Sequence, residues 1–184
     1  RIGKEVIKIA KAFGMNVLAF DAKPDFEIAK PSGFEYKNNL GDILKNSDIV
    51  SLHVNYSEST HHLINKENIK FIKKGSYIIN TSRGPVIETE ALILALSEKI
   101  LAGAGLDVLE EEGVVKDELE FLIKGHPQEH NLKTILADHI LMKMDNVLIT
   151  PHNAFNSKEA VERIQAVTIE NIKGFIDGKP INLL

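Results

Sequence analysis

The strongest constraint on this 184-residue chain is its alternation of short apolar runs with amphipathic helical stretches. Residues 3–14, G-K-E-V-I-K-I-A-K-A-F-G, place Val6, Ile7, Ala10 and Phe13 at helical spacing and close on a glycine suited to a C-terminal cap. A strand over residues 16–20 follows at once. The same pattern predicts strands at 34–36, 48–53, 76–80, 101–108 and 146–149. Between and after them it predicts helices at 40–46, around 66–72, at 88–99 and along a polar stretch from about 117 to 141. A long amphipathic helix over 158–176, ended by Gly178 and Pro180, comes last.

Short apolar strands separated by helices mean parallel pairing through right-handed crossovers, with helices on both faces of the sheet. The expected fold class is therefore α/β, a doubly wound parallel sheet of the Rossmann type. In such sheets ligands bind beyond the carboxyl ends of the strands. Polar residues gather at those ends here: Asp21, His53, Asn80 through Thr81, Ser82 and Arg83, Asp107, and His152 just after the last strand. Each has a plain structural explanation when taken alone. Asp21 suits a turn before Lys23-Pro24, Asp107 a strand-end cap, and His152 a helix start after Pro151. Their convergence on one rim is what points to a site.

The residue types on that rim suggest a chemistry. His152 is a candidate acid/base near neutral pH. Arg83 is a candidate carboxylate clamp, because a planar guanidinium meets two oxygens at once; Arg1, Arg83 and Arg163 are the only arginines among 22 basic residues. A carboxylate that orients the histidine would come from Glu110, Glu111 or Glu112, among which composition does not choose; the plain reading of that run is a solvated acidic loop. Asp21 lies 18 residues after Gly3, close to the roughly 20-residue gap between a dinucleotide fingerprint and its ribose-binding acid. That spacing predicts NAD, since a carboxylate there accepts ribose hydroxyls and repels a 2′-phosphate. Lys23 is a nearby cation, expected to be offset by Asp25. The first two fingerprint glycines do not occur in the sequence.

Composition limits the alternatives. With 43% hydrophobic and 26% charged residues the chain can bury one good core, so a single domain is the default. A formal charge of −4 leaves no basic face for nucleic acid or anionic lipid, and no apolar run is long enough for a membrane span. The absence of cysteine removes disulfides, thiol nucleophiles and thiolate metal sites. A cytoplasmic location is the default expectation.

Four blocks then carry a specific resemblance. D-I-V-S-L-H-V-N-Y-S-E-S-T-H-H-L-I-N, G-S-Y-I-I-N-T-S-R-G-P-V-I-E-T-E-A-L, A-G-A-G-L-D-V-L-E-E-E and N-V-L-I-T-P-H-N-A-F, in that order and spanning nearly the whole chain, resemble the D-isomer-specific 2-hydroxyacid dehydrogenases. The resemblance implies that Arg83 in N-T-S-R-G binds the substrate's carboxylate and carbonyl oxygen. It also implies that Glu112 is the glutamate paired with the catalytic histidine, and that His152 in T-P-H exchanges a proton with the 2-oxo oxygen. By the same likeness Asp107 holds the nicotinamide carboxamide and Asp21 the adenosine ribose, while Arg1, Ile2 and Gly3 lie at the pyrophosphate. His53, Thr81, Ser82, Arg83 and His152 complete the implied cofactor contacts. The implied activity is hydride transfer between NAD and a small D-2-hydroxy or 2-oxo acid, without a metal and in a homodimer. The rival readings are a non-catalytic dinucleotide sensor and a phosphoglycerate, glyoxylate or formate enzyme on the same scaffold.

Other signals are weaker. Gly103-Ala104-Gly105 sits inside a strand pattern, where small residues mark close packing rather than a phosphate loop. His126 and His130 in H-P-Q-E-H do not form the zinc motif H-E-x-x-H. His62 is expected to be structural. Residues 113–145 read as a helical and loop excursion over the surface, a lean by resemblance toward the D-lactate dehydrogenase-like branch. The chain opens partway through the fingerprint, so the expected molecule is an NAD-binding domain over 1–184 without its first strand or the family's substrate domain. Its helix from 158 onward would lead back to that domain. The two halves of its sheet would then face a gap, and residues 1–184 alone are expected to fold poorly and to be inactive.

Overall fold

Parallel strands alternate with helices through the computed structural model, which describes residues 1–112 and 132–183. The chain divides into two compact units, Arg1–Pro151 and His152–Leu184. The first contains α1 (Ile2–Ala12), β1 (Leu18–Ala19), α2 (Phe26–Ser32), β2 (Glu35–Tyr36), α3 (Leu40–Asn46), β3 (Ile49–Leu52), β4 (Ser76–Asn80), α4 (Thr89–Ser97), β5 (Leu101–Leu106), α5 (Leu132–Leu141) and β6 (Val147–Ile149). The second contains α6 (Lys158–Ile176), which starts where Ser157 Oγ accepts the Ala160 N–H at 3.2 Å.

Every pairing among the described residues is parallel, but the strands form two sheets. One is β1-β2 and the other is β3-β4-β5-β6, with no β1–β3 pairing. This is the divided sheet expected from the sequence. In the larger sheet the register places Leu52 opposite Asn80, Asn80 opposite Leu106, and Leu106 opposite Ile149. The carboxyl ends of four strands therefore lie level.

The core sits on this four-stranded sheet. Val50, Leu52, Ile78, Leu101 and Leu106 from the strands pack with Leu44, Ile64, Val86, Leu92 and Leu96. Ala91 and Ala95, buried one helical turn apart on α4, keep that helix close to its neighbours. Gly103 and Gly105 do mark close packing: a Cβ on Gly103 would lie 2.7 Å from the Asn146 carbonyl oxygen, and one on Gly105 3.0 Å from Ile79 Cδ1.

Four features differ from the expectation. A helix, α2, stands between the first two strands, where no element was expected; Pro31 falls in its last turn, and Gly33 closes it in the left-handed region at φ +67°. The helix expected around 66–72 is only a 3-10 turn, Ile69–Phe71. There Asn65 and Asn68 bond to local backbone, the Asn65 N–H donating to Asn68 Oδ1 at 3.0 Å and Asn68 Nδ2 to the Leu63 carbonyl at 2.8 Å, which competes with helical pairing. β1 keeps only two residues of the five expected, and β5 ends two residues earlier than expected. Finally, α5 is more than a surface excursion: one face is buried through Thr134, Ile135, Ala137, Asp138 and Leu141, of which Leu141 joins the core, while Leu132, Leu136 and Ile140 stay exposed. The rest of that stretch, residues 113–131 with His126 and His130, lies outside the described residues.

Candidate active site

Level strand ends put one residue from each strand on a common rim. His53 follows β3, Thr81 follows β4, Asp107 follows β5 and Thr150 follows β6, each one position beyond the paired row. Asp107 is buried; its N–H donates to the Asn80 carbonyl at 2.9 Å and its carboxylate accepts the Thr150 hydroxyl. The rim is thus tied across β4, β5 and β6 by hydrogen bonds beyond the ladder.

Asn80, 1% exposed, is the brace of the β4 end. Its Oδ1 accepts the Ser82 N–H at 3.0 Å and its Nδ2 donates to the Arg83 carbonyl at 2.9 Å. The Ser82 hydroxyl donates to the Val54 carbonyl, which ties this loop to the end of β3. Ser82 is therefore engaged in holding the loop, while the exposed Arg83 lies along it with Nη1 donating to the Ser82 carbonyl at 2.7 Å. Gly84 comes next because nothing larger fits: a Cβ there would stand 2.0 Å from the Leu109 carbonyl oxygen. Close approach brings the loop of Arg83 against the turn that leads to Glu112.

That turn is not the solvated acidic loop the sequence suggested. The Glu110 side chain is 13% exposed; one oxygen accepts from His62 Nε2 at 2.6 Å and the other from the Thr89 hydroxyl at 2.8 Å and the Thr89 N–H at 3.2 Å. His62 is thereby structural, as expected. Asp138 Oδ2 accepts the Glu111 N–H at 3.0 Å. Glu112 itself is half-buried at the end of the turn.

On the other side of the unit, Arg1, Ile2 and Gly3 begin α1, and no side chain caps that helix start. Gly3 lies against His53, where an added Cβ would be 3.5 Å from His53 Cβ. His53 is half-buried with Nε2 hydrogen-bonded to Ser51 Oγ at 2.9 Å; burial lowers its pKa and favours the neutral ring. Asp21 stands exposed two residues beyond β1, its Oδ1 accepting the Lys23 N–H at 2.8 Å in a tight turn. Asp25, expected to offset Lys23, instead pairs with Lys4 at 2.9 Å, a bond that lowers the Asp25 pKa and raises that of Lys4. The uncapped start of α1, the small residue against His53 and the exposed carboxylate after β1 suit a dinucleotide, with amide donors for a pyrophosphate and an acceptor for a ribose. His152 opens the second unit with its backbone at φ +51°.

Residues 1–154 match the family model of the D-isomer specific 2-hydroxyacid dehydrogenase, NAD binding domain. The chain belongs to this family. Among relatives, 2-hydroxyacid dehydrogenase A of Aspergillus oryzae is 39% identical over 179 residues, which cover 96% of this chain and 48% of that protein. The glyoxylate reductase of Aeropyrum pernix is 37% identical over 185 residues, covering 100% of this chain and 49% of that one. The crystal structure of D-lactate dehydrogenase from Aquifex aeolicus, complexed with NAD and lactic acid, superposes with a TM-score of 0.85 at 39% identity, over 97% of this chain and 51% of that chain. The chain spans about half the length of these dehydrogenases and carries the family's NAD-binding domain.

The sequence pointed to the rim but missed its braces. Thr89, Glu110 and Asp138 come from three separated segments; Glu110 stood in the sequence only as one of three candidate carboxylates, and Asp138 left a trace as a charge within the apolar run L-A-D-H-I-L.

Proposed function

We propose that this chain is the cofactor-binding half of an NAD-dependent D-2-hydroxyacid dehydrogenase acting on D-lactate/pyruvate or a similarly small acid. The observation that carries this reading is the packing of Gly84 against Leu109, which joins the loop of Arg83 to the turn of Glu112. A carboxylate clamp and an orienting carboxylate then belong to one braced assembly at the strand ends.

Bound at the start of α1 and along the rim, NADH would supply the hydride for reduction of the 2-oxo carbon. Arg1, Ile2 and Gly3 would face its pyrophosphate, Asp21 its ribose, and His53, Thr81, Ser82 and Asp107 the remainder. Arg83 would hold the substrate carboxylate through two parallel N–H donors and stabilise negative charge developing on the carbonyl oxygen. His152 would deliver a proton from its ring to that oxygen in reduction and take it back in oxidation. Glu112 would favour the imidazolium form of His152 by an adjacent negative charge. The D-lactate preference rests on the likeness to the Aquifex aeolicus enzyme and on the T-P-H-N-A-F block. A homodimer is the expected assembly by family likeness.

The test is oxidation of NADH and of NADPH by the full-length polypeptide with pyruvate, longer 2-oxo acids, glyoxylate and hydroxypyruvate, beside a His152→Ala control. NADH turnover that the control abolishes identifies the dehydrogenase and ranks its acids. NADH binding without turnover of any acid replaces this reading with a non-catalytic dinucleotide sensor.

A further inference from the structure

Among the described residues two acids are buried, Asp107 at 4% and Asp138 on α5 at 0% exposed. Asp138 shares Thr89 with a second carboxylate. Thr89 Oγ1 lies 2.8 Å from Glu110 Oε2 and 3.3 Å from Asp138 Oδ1. A hydroxyl has one hydrogen to donate. The shorter contact takes it, so Thr89 Oγ1 presents a lone pair to Asp138 Oδ1. Two acceptors face each other there unless Asp138 brings a proton of its own.

We propose that Asp138 is a positioning residue for the reaction: as a carboxylic acid it donates to Thr89 Oγ1, accepts the Glu111 N–H, and so fixes the turn that carries Glu112. The proposal rests on the dehydrogenase reading for its kinetic consequence, though not for its structural one.

The surroundings shift Asp138 toward the protonated acid. Burial is the largest influence and raises the Asp138 pKa; the Glu111 N–H lowers it and the charges of Glu110 and Glu111 raise it, leaving it pushed up from 3.8 to about 6. Among the described residues, the charged groups around it come from the turn after β5 and from the start of α4. Glu110, itself bonded to His62, and Glu111 belong to the turn after β5. At the start of α4, Glu90 is neutralised by Lys66 at 3.0 Å and by Lys133 of α5 at 2.6 Å, and Glu88 pairs with Lys66 at 2.6 Å. No cation in these pairs contacts Asp138. When Asp138 ionises, the bond to Thr89 is lost and a third negative charge joins Glu110 and Glu111. The clamp on the turn then weakens.

Asp138→Asn tests this directly, because the amide keeps both the donor to Thr89 and the acceptor for Glu111 but does not titrate. In the full-length enzyme, the ratio of kcat for Asp138→Asn over wild type is expected to stay near unity below about pH 5 and to rise through about pH 5 to 7, around the Asp138 pKa of about 6; any histidine titration common to both cancels. Asp138→Ala should lower kcat about tenfold or more with KM for NADH changed less than about twofold, as misplacement of a catalytic group does. A ratio constant across pH, or an Asp138→Asn enzyme as impaired as Asp138→Ala, overturns the proposal. Should wild type turn over no 2-oxo acid, the dehydrogenase reading fails and the positioning role in catalysis fails with it. The proton assignment is still tested by unfolding. A folded pKa above the unfolded one makes wild-type stability fall, relative to Asp138→Asn, as pH rises from 4 to 6 and then level off. A pH-independent difference overturns the assignment.

Discussion

The four-stranded and two-stranded sheets use the same kinds of element and differ sharply in how they are held. Around β3–β6, α4 buries Thr89, Ala91, Leu92, Ala95 and Leu96, and the strand ends are cross-linked through Asn80, Ser82, Asp107 and Glu110. Beside β1–β2, α1 is strongly amphipathic yet buries none of its residues, and Phe13 is 77% exposed. Amphipathic pattern and packing are separate properties. The first is local and survives in a segment that touches little; the second requires a partner surface, and only there does burial stabilise.

This contrast can be broken at its glycines. Gly84→Ala forces a methyl into the Leu109 carbonyl at 2.0 Å and is expected to cost on the order of 4 kcal/mol, or to prevent folding, because neither backbone segment can yield. Gly3→Ala meets His53 only at ordinary contact, 3.5 Å, and should leave urea unfolding within about 0.5 kcal/mol of wild type. Its expected loss is in NADH affinity. Equal unfolding curves for the two variants would mean that the Gly84 contact is not rigid.

Side-chain truncation should give the next largest difference. Leu92→Ala removes a side chain 2% exposed and should destabilise by about 2–5 kcal/mol, whereas Phe13→Ala should change the unfolding free energy by less than about 0.5 kcal/mol. A comparable loss at Phe13 would show that α1 is covered in solution.

Polar braces come third. Asn80→Ala removes two hydrogen bonds that hold Ser82 and Arg83 and should cost about 1–3 kcal/mol, with a rise in KM for the 2-oxo acid larger than that for NADH. At the other extreme, Lys4→Ala breaks an exposed pair with Asp25, and no shift in the thermal midpoint is expected because solvent and salt screen such pairs.

How much of this was legible beforehand differs by kind of feature. Strand and helix alternation gave the doubly wound class, since periodicity is written in consecutive residues. Gly103 and Gly105 were readable as packing glycines from their place in a strand. The helix α2 was not, because it is only seven residues long and carries a proline, Pro31, which argues against a helix at that position. The turn at Ile69–Phe71 was misread because side-chain bonds of Asn65 and Asn68 outweigh apolar spacing.

Sequence alone determined the parallel α/β class, the family likeness and the set of polar residues at the strand ends, because each is carried by order and spacing along the chain. It did not choose among Glu110, Glu111 and Glu112 on physical grounds. The tertiary structure decided that Glu110 is a buried brace held by His62 and Thr89, and that Asp138, 49 positions after Thr89, shares the same hydroxyl. Such assignments depend on which atoms meet within hydrogen-bonding distance across distant segments, and on burial that raises the cost of any group left unpaired.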